Sequence, residues 1–289
     1  MECKSFLGSL VQSPCDCLVI GLHDNWEESA DAAEIDAATS GLLKRLVESE
    51  EISTKPLKTS MLLAPPGIAS KILVTVGLGN RVSMHPSVFF RASATAMKLC
   101  SSKKRGIVRF AGFAGSALEL RGAVAGSVAG CVGQDLFRKD RNTWEPDKIE
   151  WQHVAAEVVT QGQIIGKSIN ATRRLVNLPP NYIYPESLAD AAVKLAHDCS
   201  LQVEVWDRAK LTKERCGALL GVAQGSVREP RLVILQYRGN GEAPPTALVG
   251  KGVTFDSGGY SIKPTDGMLT MKGDMAGAAT VLGIMGAAA

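Results

Sequence analysis

Four ionisable side chains near the carboxyl end stand in a pattern that could do chemistry. They lie in Val249-Gly-Lys251-Gly-Val-Thr-Phe-Asp256-Ser-Gly-Gly-Tyr-Ser-Ile-Lys263-Pro264 and in Met271-Lys-Gly-Asp274-Met-Ala-Gly277. Asp256 and Asp274 offer hard oxygen donors of the kind that hold a divalent ion. Lys251 can ligate only as the free amine, because an ammonium repels a metal. Releasing its proton calls for burial and for the charge of the ion itself. Lys263, kept protonated, would face the oxyanion that forms when a carbonyl is attacked. Two metals close together would bind the attacking water and polarise that carbonyl. Each residue also has a plainer use. An Asp in a Gly-rich turn usually closes an Asx-turn, Asp274 precedes a helical pattern that it could cap, and a lone lysine is ordinarily a solvated charge. The combination in one glycine-rich segment is what points to a site.

Three runs carry a resemblance: Lys251-Gly-Val-Thr-Phe-Asp256-Ser-Gly-Gly, Ser261-Ile-Lys263-Pro264 and Met271-Lys-Gly-Asp274-Met-Ala-Gly-Ala-Ala279. Together they resemble the core of the leucyl (cytosol) aminopeptidase family, the M17 metallopeptidases. The resemblance implies that Lys251, Asp256 and Asp274 are metal ligands, with Asp256 bridging two ions. It implies that Lys263 is catalytic and that Met271 lines the pocket for the substrate's N-terminal side chain. It further implies two divalent ions (Mn²⁺ or Zn²⁺), peptide substrates with a preference for Leu-like termini, a homohexamer and a cytoplasmic role in peptide turnover. The family's Asn-Thr-Asp-Ala-Glu-Gly-Arg segment supplies two more carboxylates and an arginine. It does not occur in these 289 residues, so the expectation is the first portion only of a catalytic domain. The alternative expectation is a catalytically incomplete fragment or a non-catalytic binding subunit.

The elements that must position these residues read as α/β. Cys17–Leu22, Met61–Ala64, Ile72–Val76 and Ile107–Phe110 are expected strands. Residues 29–50, with Ser29 as cap, 86–100 and 117–137 are expected helices. This alternation predicts an N-terminal mixed α/β domain with a largely parallel sheet over residues 1–140. Residues 141–176 read as a polar, Pro-bearing linker and then one long connecting helix from Trp151 to Val176. It breaks at Asn177-Leu-Pro179-Pro180-Asn181, a stretch that also resembles the family. Residues 177–289 read as the incomplete α/β catalytic domain. Its expected elements are a helix over 185–199, strands over 201–206, 232–237 and 246–249, Asp207 capping a short helix, and a closing Ala/Gly-rich helix from residue 276.

Composition narrows the function classes. The chain is 45% hydrophobic with a net charge of +3, which argues against a nucleic-acid partner held by bulk charge. Seven cysteines, an odd number without CxxC spacing, read as reduced thiols. Gln12, Pro14 and Asp16 interrupt any signal-peptide core, and no apolar run approaches the roughly 20 residues of a membrane span. No HExxH or GxSxG occurs. Gly162-Gln-Ile-Ile-Gly166-Lys-Ser168 has three residues between its glycines where a phosphate loop has four, and it sits in a helical pattern. Gly77-Leu-Gly79 follows a strand but lacks a third glycine and reads as a bare turn. It is the first place to look for a nucleotide in the N-terminal domain.

Overall fold

The structure is a computed structural model that describes residues 1–133, 135 and 137–289. It divides into two compact units, Met1–Lys167 and Ser168–Ala289.

Among the described residues the first unit is built on six strands: β1 Glu2–Phe6, β2 Cys17–His23, β3 Thr59–Leu63, β4 Ile72–Gly79, β5 Ile107–Ala111 and β6 Lys148–Gln152. Their order in the sheet is β1-β6-β5-β2-β4-β3. Every pair is parallel except β3 with β4. The unit's helices are α1 Ala30–Ala38, α2 Leu42–Glu48, α3 Ser87–Cys100 and α4 Ala117–Gly130, followed by the start of α5 Ala156–Asn177. Parallel strands joined by helical crossovers are covered on both faces, which is why β2 and β4 are unbroken apolar runs. Successive residues of β2 point to opposite faces. Cys17 and Val19 join Val74, Val76, Phe89, Met97 and Val124 in one core. Leu18, Ile20 and Leu22 join Trp26, Ile35 and Leu43 in the other.

Several expected elements stand and several need correction. Ser29 caps α1 by accepting from the Ala32 amide. The single helix expected over 29–50 is two helices. Ser40 (φ 56°) and Gly41 (φ 77°) reverse the chain between them, and a left-handed pair cannot continue an α-helix. The helix from residue 117 ends at Gly130, and Gln134 and Leu136 of the expected span lie outside the described residues. Trp151 does not start a helix. It belongs to β6, which occupies the end of the expected linker and the start of the expected helix, and its ring stacks on Phe110 with centroids 4.5 Å apart. The alternation in Lys-Ile-Glu-Trp-Gln was obscured by its charges. One of these, Glu150, is spent inside the sheet on Arg109, its neighbour on β5. Arg109 Nη2 and Nε donate to Glu150 Oε2 at 2.7 and 2.9 Å, and Nη1 donates to the Ser13 carbonyl at 2.8 Å. The guanidinium also lies 3.7 Å from the Phe6 ring centroid.

Both glycine decoys turn out to be packing devices. Gly162 and Gly166 lie inside α5, where a Cβ on either would meet Val124 or Val128 at 2.5 Å. Gly77-Leu-Gly79 is not a bare turn but the end of β4, where a side chain at Gly77 would strike the Lys55 carbonyl. All seven cysteines are free thiols. Among the described residues no helix is long and apolar enough to cross a membrane.

The second unit begins with the end of α5. It continues with α6 Pro185–Asp198, β7 Gln202–Trp206, α7 Arg208–Lys213, α8 Gly217–Ala223, β8 Leu232–Gln236, α9 Thr265–Met268 and α10 Ala276–Ala288. β7 and β8 form an antiparallel pair. Asp207 caps α7 through the Lys210 amide at 2.8 Å. The strand expected over 246–249 is absent: these residues pair with no described strand, and Val249 is 95% exposed. An apolar run becomes a strand only where a neighbour takes its backbone hydrogen bonds. The architecture is therefore α/β, with a parallel-dominated sheet in the first unit and an incomplete sheet in the second.

The Arg109–Glu150 pair yields a stability prediction. The Arg109 side chain is 3% exposed, so Glu150→Ala strands a buried cation and should cost about 3–5 kcal/mol. Arg109→Met combined with Glu150→Leu should recover most of that loss, as both charges leave together. Urea unfolding of the three variants checks this; an unchanged midpoint in Glu150→Ala would show the pair to be idle.

Candidate metal centre

The candidate residues sit on non-repetitive backbone laid against the start of α10. The close approach is allowed by glycine. A Cβ on Gly250 would stand 2.5 Å from the Gly277 carbonyl oxygen, and one on Gly277 would stand 2.8 Å from the Lys251 amide nitrogen. With neither Cβ present, the Ala278 amide donates to the Lys251 carbonyl at 2.8 Å. That contact sets Lys251 beside Asp274, which closes the 3-10 turn Met271–Gly273. Lys251 Nζ donates to both carboxylate oxygens of Asp274, at 2.6 and 2.7 Å.

A second turn brings up the other pair. Gly258 takes φ +92°, where a Cβ would strike the Ser261 carbonyl. The loop closes with the Lys263 amide donating to the Ser257 carbonyl at 2.9 Å. Lys263 Nζ thereby reaches Asp256 Oδ2 at 3.1 Å, while Asp256 Oδ1 accepts from the Gly258 amide at 2.8 Å. Asp256 thus does close an Asx-turn, as its plainer use would have it, and keeps one oxygen for an ammonium. Its carboxyl is held below the usual carboxylate range, first by the Gly258 amide, then by Lys263, with Lys251 adding its charge. So the structure brings Lys251, Asp256, Lys263 and Asp274 into one charged neighbourhood, with half-buried Met271 on the Asp274 turn.

Two expectations change here. Asp274 does not cap α10, whose N-cap position is Met275; its carboxylate is given wholly to Lys251. Lys251 is not buried either. Its side chain is 61% exposed, so the desolvation expected to favour a free amine is missing and the geometry is that of an ammonium in an ion pair. The donor set bears on the metals in the same way. Among the described residues no three His, Cys, Asp or Glu side chains gather. Two carboxylates and a displaceable lysine suit one divalent ion. They do not neutralise two, which would bring twice as much charge as the pair can balance.

Sequence reasoning missed the groups that hold this segment in place. Lys272 Nζ donates to the Asn177 carbonyl at 3.0 Å, a cation at the carboxyl end of α5 where the helix dipole favours it. Thr172 Oγ1 donates to the Ala279 carbonyl at 3.1 Å, tying α5 to α10. Their partners lie about a hundred residues away, beyond any local spacing rule. The exception was visible: glycines at 250 and 277 flank the candidate ligands.

Asp256 contributes stability with a definite sign. A carboxyl lowered in the folded state stabilises above its unfolded value of about 4 and loses that contribution as the pH falls through the folded value. In Lys263→Met one cause of the lowering is removed, so Asp256 should titrate at higher pH than in the parent chain. Carboxyl ¹³C NMR measures this directly; an unmoved midpoint would break the pairing assigned here.

Comparison with known proteins fits this geometry. Residues 19–141 match the sequence model of the cytosol aminopeptidase family's N-terminal domain, and residues 170–289 match that of its catalytic domain. A probable cytosol aminopeptidase of Rhodopirellula baltica is 43% identical over 86% of this chain and 49% of its own length. One of Paraburkholderia phymatum is 35% identical over 99% of this chain and 60% of its own. The chain thus spans about half to three-fifths of the length of these relatives. Among solved structures, the bottromycin maturation enzyme BotP in complex with Mn superposes with a TM-score of 0.75 at 26% identity, covering 94% of this chain and 55% of its own. A tomato leucine aminopeptidase mutant gives a TM-score of 0.82 over 99% of this chain and 59% of its own at 24% identity, a likeness of fold. With both domain models matched and the catalytic match enclosing Lys251, Asp256, Lys263 and Asp274, the chain belongs to the cytosol aminopeptidase family.

Proposed function

We infer that this chain carries one part of a metal-dependent aminopeptidase centre that removes N-terminal residues, Leu-like ones preferred, from peptides. The observation that carries the reading is the pairing of Asp274 with Lys251 and of Asp256 with Lys263 inside the matched catalytic domain. Asp256 and Asp274 would hold a divalent ion, Mn²⁺ or Zn²⁺, with Lys251 yielding its place on Asp274 or joining as the amine. Such an ion, when bound, supplies Lewis-acid polarisation of a carbonyl and a water made easier to deprotonate. The chain's own residues do the rest. Asp256 stays ionised at neutral pH because the Gly258 amide and Lys263 both favour its charged form. Lys263 brings a positive charge to the rim of the site, positioned by the Gly258 turn to face the oxygen on which negative charge grows. Met271 would form part of an apolar wall for the departing residue's side chain. A second ion needs carboxylates beyond these two. The complete centre, its hexameric assembly and its place in the cytoplasm all belong to the longer family architecture.

A specific observation also favours a second reading, in which the 289 residues act as an incomplete fragment or binding subunit. Tyr260, Ile262, Leu269 and Val249 are all largely exposed, and among the described residues the second unit's sheet consists of β7 and β8. Such apolar exposure, with open strand edges, favours self-association. The two readings part in one assay: hydrolysis of a leucine anilide with added Mn²⁺. It compares this chain with a chimera extended by the remaining catalytic segment of the R. baltica relative. The chimera should be active and the 289-residue chain close to inactive. Lys263→Ala in the chimera should lower kcat about 10²–10³-fold, and Asp256→Ala should lower activity and Mn²⁺ affinity together. Full activity in both variants would remove these residues from the mechanism.

A further inference from the structure

A cavity of about 550 Å³ opens in the first unit, at the amino ends of β5 and β6. Nothing in the peptidase reading uses it. Its volume lies in the range of small-molecule sites, roughly 300–1,000 Å³. Because β5 and β6 are adjacent and parallel, the loops that precede them stand side by side. The first contributes Lys104 and Arg105, the second Trp144, Glu145 and Asp147. These walls are fastened by backbone. The Trp144 amide donates to the Ser101 carbonyl at 2.9 Å, and the Lys148 amide to the Gly106 carbonyl at 2.9 Å. Asp135, 5% exposed, accepts from the Asn142 and Thr143 amides at 2.6 and 2.9 Å. Its charge is thus spent on shaping the loop.

The charges left over define what would fit. Arg105 Nε is buried and has no hydrogen-bond partner among the described residues. Neither Lys104, Arg105, Glu145 nor Asp147 forms an ion pair with another described residue. A buried donor without a partner is uncommon in a folded chain and marks a place for a ligand or solvent. Lys104 and Arg105 come from the first loop and Glu145 and Asp147 from the second, which also brings Arg141, itself already partnered. A dianion such as a phosphate would meet two carboxylates, and a simple amine would meet a lysine and an arginine; like charges held this close oppose binding. A molecule with one charge of each sign satisfies both walls. Trp144, Val132 and the buried thiol of Cys131 give a less polar side. Burial pushes that thiol up to about 12, so it stays neutral.

We propose that this cavity binds a zwitterion, a free α-amino acid or short peptide. Its carboxylate lies on Arg105 and Lys104, its ammonium on Glu145 and Asp147, and its side chain against Trp144. The site would let the first unit sense the kind of molecule a peptidase releases, although the binding itself does not rest on the peptidase reading.

Titration calorimetry of the 289-residue chain tests this with leucine, leucinamide, which lacks the carboxylate, and N-acetyl-leucine, which lacks the ammonium. Leucine should bind, and each analogue should bind at least tenfold more weakly. Arg105→Gln and Glu145→Gln should each weaken leucine at least tenfold, while Asp256→Ala leaves it unchanged. A thermal melt accompanies each variant. Should Arg105→Gln fail to fold, Glu145→Gln and Lys104→Gln, both at exposed positions, carry the decision. No heat at millimolar leucine, analogues that bind as well as leucine, or binding lost in Asp256→Ala but kept in Glu145→Gln would each overturn the proposal. So would adenosine monophosphate binding where leucine does not. Loss of peptidase activity in the chimera would leave this result untouched, since the readout here is binding to the first unit.

Discussion

The candidate centre depends on one close approach of two backbones. Gly250 and Gly277 let the segment before Asp256 lie directly on the first turn of α10, where any side chain would intervene. The first amides of a helix have no partner within it and must find one elsewhere. Here the Lys251 carbonyl takes the Ala278 amide. A backbone oxygen thus does part of the work of a capping side chain, and Asp274, one residue before the N-cap, keeps its carboxylate for Lys251. The sequence leaves open whether Asp274 caps the helix, and the geometry shows that it does not.

Charge at the centre follows the same economy. Each acid is matched to an ammonium, so the segment holds no uncompensated pair of like charges. Asp274 is mostly covered at 18% exposure, whereas Lys251 is mostly open at 61%. The carboxylate is therefore the covered partner and the lysine the open one, an arrangement that the proposed replacement of the ammonium by a cation would use. Outside the centre, Lys272 and Thr172 tie the Asp274 turn and α10 to α5. The precision of the site thus comes from helices rather than from the loop alone.

The first unit shows the opposite design: among the described residues, the charge inside its sheet is one pair that is fully satisfied. β2 and β4 are buried on both faces, and Arg109 enters the sheet only with Glu150, the Ser13 carbonyl and the Phe6 ring around it. The cavity before β5 and β6 is the exception, because there Lys104, Arg105, Glu145 and Asp147 form no ion pair among the described residues.

Local sequence was enough to determine the buried parallel strands β2, β4 and β5, since an apolar run flanked by turn residues has few other uses, but not β1, Glu2–Phe6, whose residues carry no such run. It was enough for α3, α6 and the caps at Ser29 and Asp207, whose signals lie within one turn of the residues they serve. The motif residues of the family were legible because their types and spacing are local too. Tertiary structure alone decided the rest. β6 depends on Arg109 for its charged residue and on Phe110 for its tryptophan, residues some forty positions away. Residues 246–249 lack a strand because pairing is a property of two segments, and theirs has no described partner. Whether Lys251 is buried, and which group Asp274 serves, follow from what packs around them. No spacing along the chain encodes that.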